Sequence, residues 1–168
     1  NESTKHDGGE ESHAVTVGKI FQKLLDFLKR NKSVPVTKED GEYFSGVAWN
    51  VGLLAAKQNE FTPAAVCFSA CARLISSFEC PDDLKKDAND AFSYQVRKCM
   101  AMLLTGASLI EICKTQTRPG NATADVNELN TQNLRMQAGG ALAKHAQLVH
   151  ALVSEANLNE DEKGLLLG

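Results

Sequence analysis

From Val17 to Leu28 the apolar residues fall at Val17, Ile20, Phe21, Leu24, Leu25 and Leu28, stepping by three and four. A helix of 3.6 residues per turn gathers such a set on one face, whereas a strand scatters it over both. The same step recurs in every later long segment, and alternating strand patterns are nearly absent. An all-α fold follows.

Turn signals divide the helices. Ser12 suits the N-cap of a first helix over about 13–30, where Lys29 and Arg30 favour the C-terminal dipole and Ser33-Val34-Pro35 breaks it. Thr37-Lys38-Glu39-Asp40 nearly matches a capping box and starts a second helix, carrying Phe44, Val47, Ala48, Val51 and Leu54 to about Gln58. Asn59 suits a left-handed C-cap position. Thr62 as N-cap and Pro63 at the first helical position predict a third helix to about Phe78, stopped at Cys80-Pro81-Asp82. A fourth is expected over about 83–114, with Phe92, Val96, Cys99, Leu103 and Ile110 on one face, followed by a loop at Thr117–Asn121. A fifth is expected over about 125–157, its stripe being Leu134, Ala138, Ala141, Leu148 and Leu152. Inside it, Gly139-Gly140 would bend the helix or admit a close neighbour. Asn159–Glu162 reads as the start of a sixth.

Residues 1–12 are polar, Gly-bearing and without period, so a disordered tail is expected before one helical domain over 13–168. The chain opens on Asn1 and closes on Leu165-Leu166-Leu167-Gly168, which reads as a piece of a longer array. Net charge is −3, which gives no electrostatic reason to bind nucleic acid. The longest apolar streak, Cys99–Leu104, is far short of the ~20 residues that cross a bilayer. The cysteines Cys67, Cys71, Cys80, Cys99 and Cys113 follow no zinc spacing, and Cys67 and Cys71 share a helix face too far apart for a disulfide. They read as reduced core residues of a cytosolic or nuclear protein, which argues against use of the sequons at Asn31 and Asn121.

Residues 45–78 carry the pattern of one tetratricopeptide repeat, a helical hairpin of about 34 residues. Gly52 takes the small position where the helices cross, and Lys57–Phe61 forms the turn with Phe61 as its aromatic wedge. Ala64, Phe68 and Leu74 take the following small, large and apolar positions. Cys71 stands where Ala is usual, and Trp49 is displaced by one from the aromatic place. Small residues must face large ones where antiparallel helices pack closely, which gives the spacing its cause. Beyond residue 80 the period fails. The two longer C-terminal helices are expected either to form an elongated repeat or to pack as a hairpin across the end of the array.

Ala48-Trp49-Asn50-Val51-Gly52, then Ala64-Ala65 and Phe68, and later Lys98–Glu111, resemble the meiotic repeat family of Zip-four (Spo-twenty-two) and testis-expressed protein eleven. The resemblance spans about residues 40–113, its first half largely generic repeat chemistry, and 115–135 match nothing in it. It implies a nuclear, chromosome-associated scaffold that gathers protein partners for crossover formation and synaptonemal complex assembly, without catalysis, cofactor or small-molecule substrate. A generic tetratricopeptide adaptor or co-chaperone in another cytosolic or nuclear pathway is the alternative.

No convergent acid, base and nucleophile set appears. His145 and His150 are five apart and point to different helix faces, and neither Gly8-Gly9 nor Gly139-Gly140 has the Lys-Ser/Thr of a phosphate loop. Lys29–Lys32 and Lys85-Lys86 lack interleaved aromatics and read as solvated faces. Asn50 suits one contact of a carboxylate-clamping groove, but supporting cations are missing at matching offsets. The expected binding positions are Trp49, Asn50, Leu53 and Lys57 on the second helix: Trp49 as an apolar hot spot, Asn50 as a backbone clamp, Lys57 as part of an acidic-partner rim. The competing role for Trp49 is to fill a gap against the first helix near Leu24 or Leu28.

Overall fold

A computed structural model of the chain describes residues 12–31, 36–78, 88–116 and 124–155. These are all helical apart from caps and one turn: α1 (His13–Arg30), α2 (Lys38–Lys57), α3 (Phe61–Phe78), α4 (Ala88–Gln116) and α5 (Ala124–Glu155). The expected tail over 1–11, the breaks at 33–35 and 80–82, the loop at 117–121, Cys80 and the sixth helix lie outside the described residues. No described helix is long and apolar enough to cross a membrane.

The caps follow local chemistry. Ser12 Oγ accepts from the Ala14 N–H at 3.2 Å and donates to Glu60 Oε2 at 2.9 Å, which ties the start of α1 to the α2–α3 turn. Thr37 Oγ1 accepts from the Asp40 N–H at 3.1 Å. The Asp40 carboxylate accepts a hydrogen bond from the Thr37 hydroxyl at 2.7 Å, so only half of the capping box forms. At the far end of α2, Asn59 adopts φ 60 and its N–H donates to the Ala56 carbonyl at 3.1 Å, while that of Glu60 reaches Ala55 at 2.9 Å. This double closure is a Schellman motif, and it turns the chain directly into α3. That helix begins at Phe61, earlier than the Thr62 cap implies, and Phe61 is therefore its first residue and not a turn residue. Pro63 still lies in the first turn, where its missing N–H leaves nothing unsatisfied.

Helix α3 is the centre of the stack. Ala64, Cys67, Phe68, Ala70, Cys71, Ala72, Leu74 and Ile75 are buried, around most of its circumference, because α1, α2 and α4 all pack on it. Ser12 meeting Glu60 and Gly18 meeting Pro63 set α1 parallel to α3. Gly52 on Phe68 places the α2–α3 crossing, and Ser69 opposite Thr105 with Ala65 packed in one cluster with Leu109 sets α4 antiparallel to α3. Helices α4 and α5 pair as an antiparallel hairpin: Cys113 lies by Thr131, Gly106 by Leu142 and Cys99 by His145. The long helices pair with each other and α4 also packs on α3, an arrangement common to the elongated repeat and to the end hairpin. Contact between α1 and α2 is light.

Three expected core stripes hold only in part, each with some of its bulky members turned outward. Helix α2 buries Gly41, Ser45, Ala48, Gly52 and Ala55, while Phe44 and Leu54 are 42% and 49% exposed. Small residues let its axis approach α3, and the bulky ones turn outward. Ile20 on α1 is 61% exposed for the same reason: Ala14, Gly18, Phe21 and Leu28 make the buried face, and a side chain at Gly18 would meet Pro63 Cβ at 3.0 Å. On α4, Phe92 and Ile110 are exposed and Cys99, Ala101, Thr105, Leu109 and Cys113 are buried. The α5 stripe through Ala138 and Leu152 is buried at those residues, with Leu134 and Leu148 packed beside them. At Gly139 and Gly140 an added Cβ meets nothing within 4 Å, so no part of the described chain approaches there; the close approach is at Gly106, where Leu142 would lie 2.8 Å from a Cβ.

Candidate functional site

Trp49, Leu53, Lys57 and Asn50 occupy a sector of about 100° on α2, as 3.6 residues per turn requires. The sector grades from core to solvent. Trp49, expected at a solvent-facing position, is half-buried: its ring meets the edge of Phe68 at 5.7 Å between centroids and 66° between planes. Leu53 is half-buried on the flank of the same core, and Asn50 and Lys57 are exposed. The packing residues Gly52, Ala64, Phe68 and Cys71 are buried on α2 and α3, with Gly52 directly over the Phe68 ring and Phe61 half-buried at the start of α3. The four sector residues thus form a rim of the α2–α3 crossing, not an open slot.

Two of the described thiols are inert. Cys67, Cys71, Cys99 and Cys113 are reduced and buried. Burial pushes the Cys67 thiol from 9.0 up to about 11. Desolvation takes Cys71 to about 12, against a smaller opposing pull from the Arg97 guanidinium. Neither is a nucleophile near neutral pH. His145 Nδ1 lies 2.9 Å from the Cys99 carbonyl oxygen, and since a carbonyl only accepts, Nδ1 carries the proton and pins α5 to α4. His150 is exposed. Among the described residues no three His, Cys, Asp or Glu side chains gather as metal ligands would.

A second surface has no local signature in the sequence. Between α1 and α5, over a floor made by α3 and α4, runs a half-open trough of about 980 Å³. Its floor is small and apolar: Ala72 from α3, with Met102, Thr105 and Leu109 from α4. Leu25 on α1 and Ala141 and Leu148 on α5 form the apolar part of the walls.

No family model matches the chain, and neither a curated protein nor a solved structure matches it. What the chain does therefore rests on its own surfaces. Among the described residues the charged lining of the trough is uneven in sign: Lys29, Arg73 and Lys144 face it, with Lys98 beside them, and the one carboxylate is that of Asp26, which accepts from Gln22 Nε2 at 3.2 Å. Helix registers place the cations at one end. Lys29 lies along α1 at the height of Arg73, because Gly18 is level with Pro63; Lys98 and Lys144 reach the same height, because Ser69 is level with Thr105 and Cys99 with His145. Gln22, Gln137 and Gly140 fall toward the other end. In sequence each of these cations lies between 25 and 46 residues from the next, and only the stacking of four helices joins them.

Proposed function

We propose that this chain is a non-catalytic scaffold for protein–protein interaction, a tetratricopeptide-like stack that serves crossover formation and synaptonemal complex assembly on meiotic chromosomes. The observation that carries the architectural part is the α2–α3 hairpin. Its Schellman turn at Asn59 and its Gly52–Phe68 crossing supply the small-against-large contact that a stacking repeat needs. The resemblance of 48–52 and 98–111 to the Zip-four and testis-expressed-eleven family supports the meiotic part. An all-helical chain with inert thiols at Cys67 and Cys71 and a broad half-open trough suits holding partners more than transforming substrates. Its site of action on this reading is the nucleus, and its partners are recombination or synapsis proteins, not DNA.

The test is genetic. Disrupting the gene should lower crossover numbers per meiosis and shorten or remove synaptonemal complex stretches, with the tagged protein in foci on prophase chromosomes. Normal crossover numbers in the null, with the protein confined to the cytoplasm, would remove the meiotic reading.

A further inference from the structure

We infer that the trough between α1 and α5 is the docking site for an amphipathic helix of a partner protein, seated with a cluster of Asp and Glu side chains at the Lys29–Arg73–Lys144 end. The inference rests on the scaffold reading above and names the partner class and the surface for it.

Shape argues first. The α5 wall contributes residues from Gln137 to Leu148, which at 1.5 Å per residue is a run of about 16 Å, or three helical turns. A floor of Ala72, Met102 and Leu109 between two parallel helical walls is the form taken by grooves that receive one apolar helix face at i, i+3, i+4 and i+7 spacing. Gly140 opens on this space, and a Cβ there meets nothing of the chain within 4 Å. A helix interior rarely carries two adjacent glycines without reason, since each costs about 1 kcal/mol against Ala. Clearance for an incoming backbone supplies one here at Gly140.

Charge decides the occupant. The chain carries a net −3, yet among the described residues Lys29, Arg73 and Lys144 face this trough with one carboxylate, Asp26, so the sign of this lining is opposite to that of the whole. A cluster of one sign in a low-dielectric cleft selects and steers a ligand of the other. The apolar floor demands an apolar face on that same ligand. Single-stranded nucleic acid fits less well, because none of the described residues lining the trough is an aromatic on which bases could stack. The surface also differs from the α2 rim: none of the trough residues belongs to α2.

The experiment uses the full chain and a synthetic fourteen-residue helical probe, with Leu at i, i+3, i+4 and i+7 and three Glu at one end. Fluorescence anisotropy should give saturable binding that weakens as salt rises from 50 to 300 mM. Lys29→Glu with Lys144→Glu, both at exposed positions, should reduce affinity tenfold or more with the melting curve unchanged. Gly140→Leu should abolish binding by filling the trough while leaving the fold intact. Tyr43→Ala, at an exposed position on α2, should leave the affinity unaltered. Equal binding of a probe with Lys in place of Glu overturns the inference. So does full binding by Gly140→Leu, or tighter capture of a single-stranded oligonucleotide than of the acidic probe. A large gain in affinity on changing Glu160, Asp161 and Glu162 together to Lys would mean the chain's own C-terminal segment occupies the trough, which also overturns it. The two readings part in vivo: if the null allele loses crossovers and the Gly140→Leu allele rescues them fully, the trough falls and the scaffold stands. If the null has no defect, the scaffold reading fails by itself.

Discussion

Replacing Gly52 and Gly139 by Ala, one at a time, makes the same chemical change in two helices with opposite expected signs. Alanine in a helix interior is favoured over glycine by about 0.8–1.0 kcal/mol, since the glycine backbone loses more freedom on folding. At Gly139 nothing lies within 4 Å of the new methyl, so that gain should appear whole. At Gly52 the methyl would lie 2.8 Å from Phe68 Cε1 and 2.9 Å from Cδ1, closer than any relaxed carbon contact. The ring has little room to retreat: Phe68 is fully buried and its edge rests on Trp49. Overpacking of this kind costs about 1–3 kcal/mol, so Gly52→Ala should be neutral to about 2 kcal/mol destabilising. The two variants should therefore differ by about 1–3 kcal/mol, and Gly52→Leu should fall further below. Urea unfolding followed by far-ultraviolet circular dichroism reads this as a shift in midpoint at constant slope. For a chain of this size each kcal/mol moves Tm by roughly 2–4 °C. If Gly52→Ala stabilised as much as Gly139→Ala, the close crossing of α2 and α3 would be refuted.

Trp49→Ala should lose about 2–4 kcal/mol, toward the lower side of the range for aromatic truncation because the ring is half-buried, whereas Asn50→Ala and Lys57→Ala should change stability by less than about 0.5 kcal/mol; paired denaturation curves check both. Ser12→Ala should cost about 1 kcal/mol or slightly more, because it removes the α1 cap together with the bond to Glu60, and hydrogen exchange should rise first in the opening turn of α1. Cys67 and Cys71 should resist alkylation at pH 8 until the chain unfolds. Their linkage to pH follows from the direction of the shifts: below about 9 both states hold the thiol proton and stability is unaffected. Between 9.0 and about 11–12 the unfolded chain ionises first, so stability should fall by about 1.4 kcal/mol per pH unit per thiol, and Cys71→Ala should flatten that slope.

Helix positions were legible because they are set locally. Ser12, Thr37 and Asn59 act within a few residues of themselves, and they cap where their chemistry requires. The turn at Asn59 needed only its tolerance of positive φ. Which face of each helix is buried was less legible, because the usual rule assigns the core to the bulkiest residues. In α2 that rule selects Phe44 and Leu54, but close approach to α3 selects Gly41, Ser45, Ala48 and Gly52 instead. The repeat offsets did register this logic at Gly52, Ala64 and Phe68. The binding surface divides the same way. Asn50 and Lys57 are exposed as their spacing suggested, yet Trp49 belongs partly to the core, since its neighbour Phe68 comes from another helix. The trough was invisible to any reading along the chain, because Lys29, Arg73, Lys98 and Lys144 become neighbours only through the registers of four helices.

The position of α3 has a consequence for how such a chain diverges over time. A helix touched by three others answers to all of them at once, so nearly every substitution along it must satisfy several partners together. Helices α1 and α5 each leave a broad face to solvent and are free to drift. Descendants of this architecture would keep a short, alanine- and cysteine-rich signature around Ala64–Ile75 and little else. Kinship would then be carried by about a dozen inconspicuous residues, just over half of them small, while the surfaces that choose partners are rewritten around them.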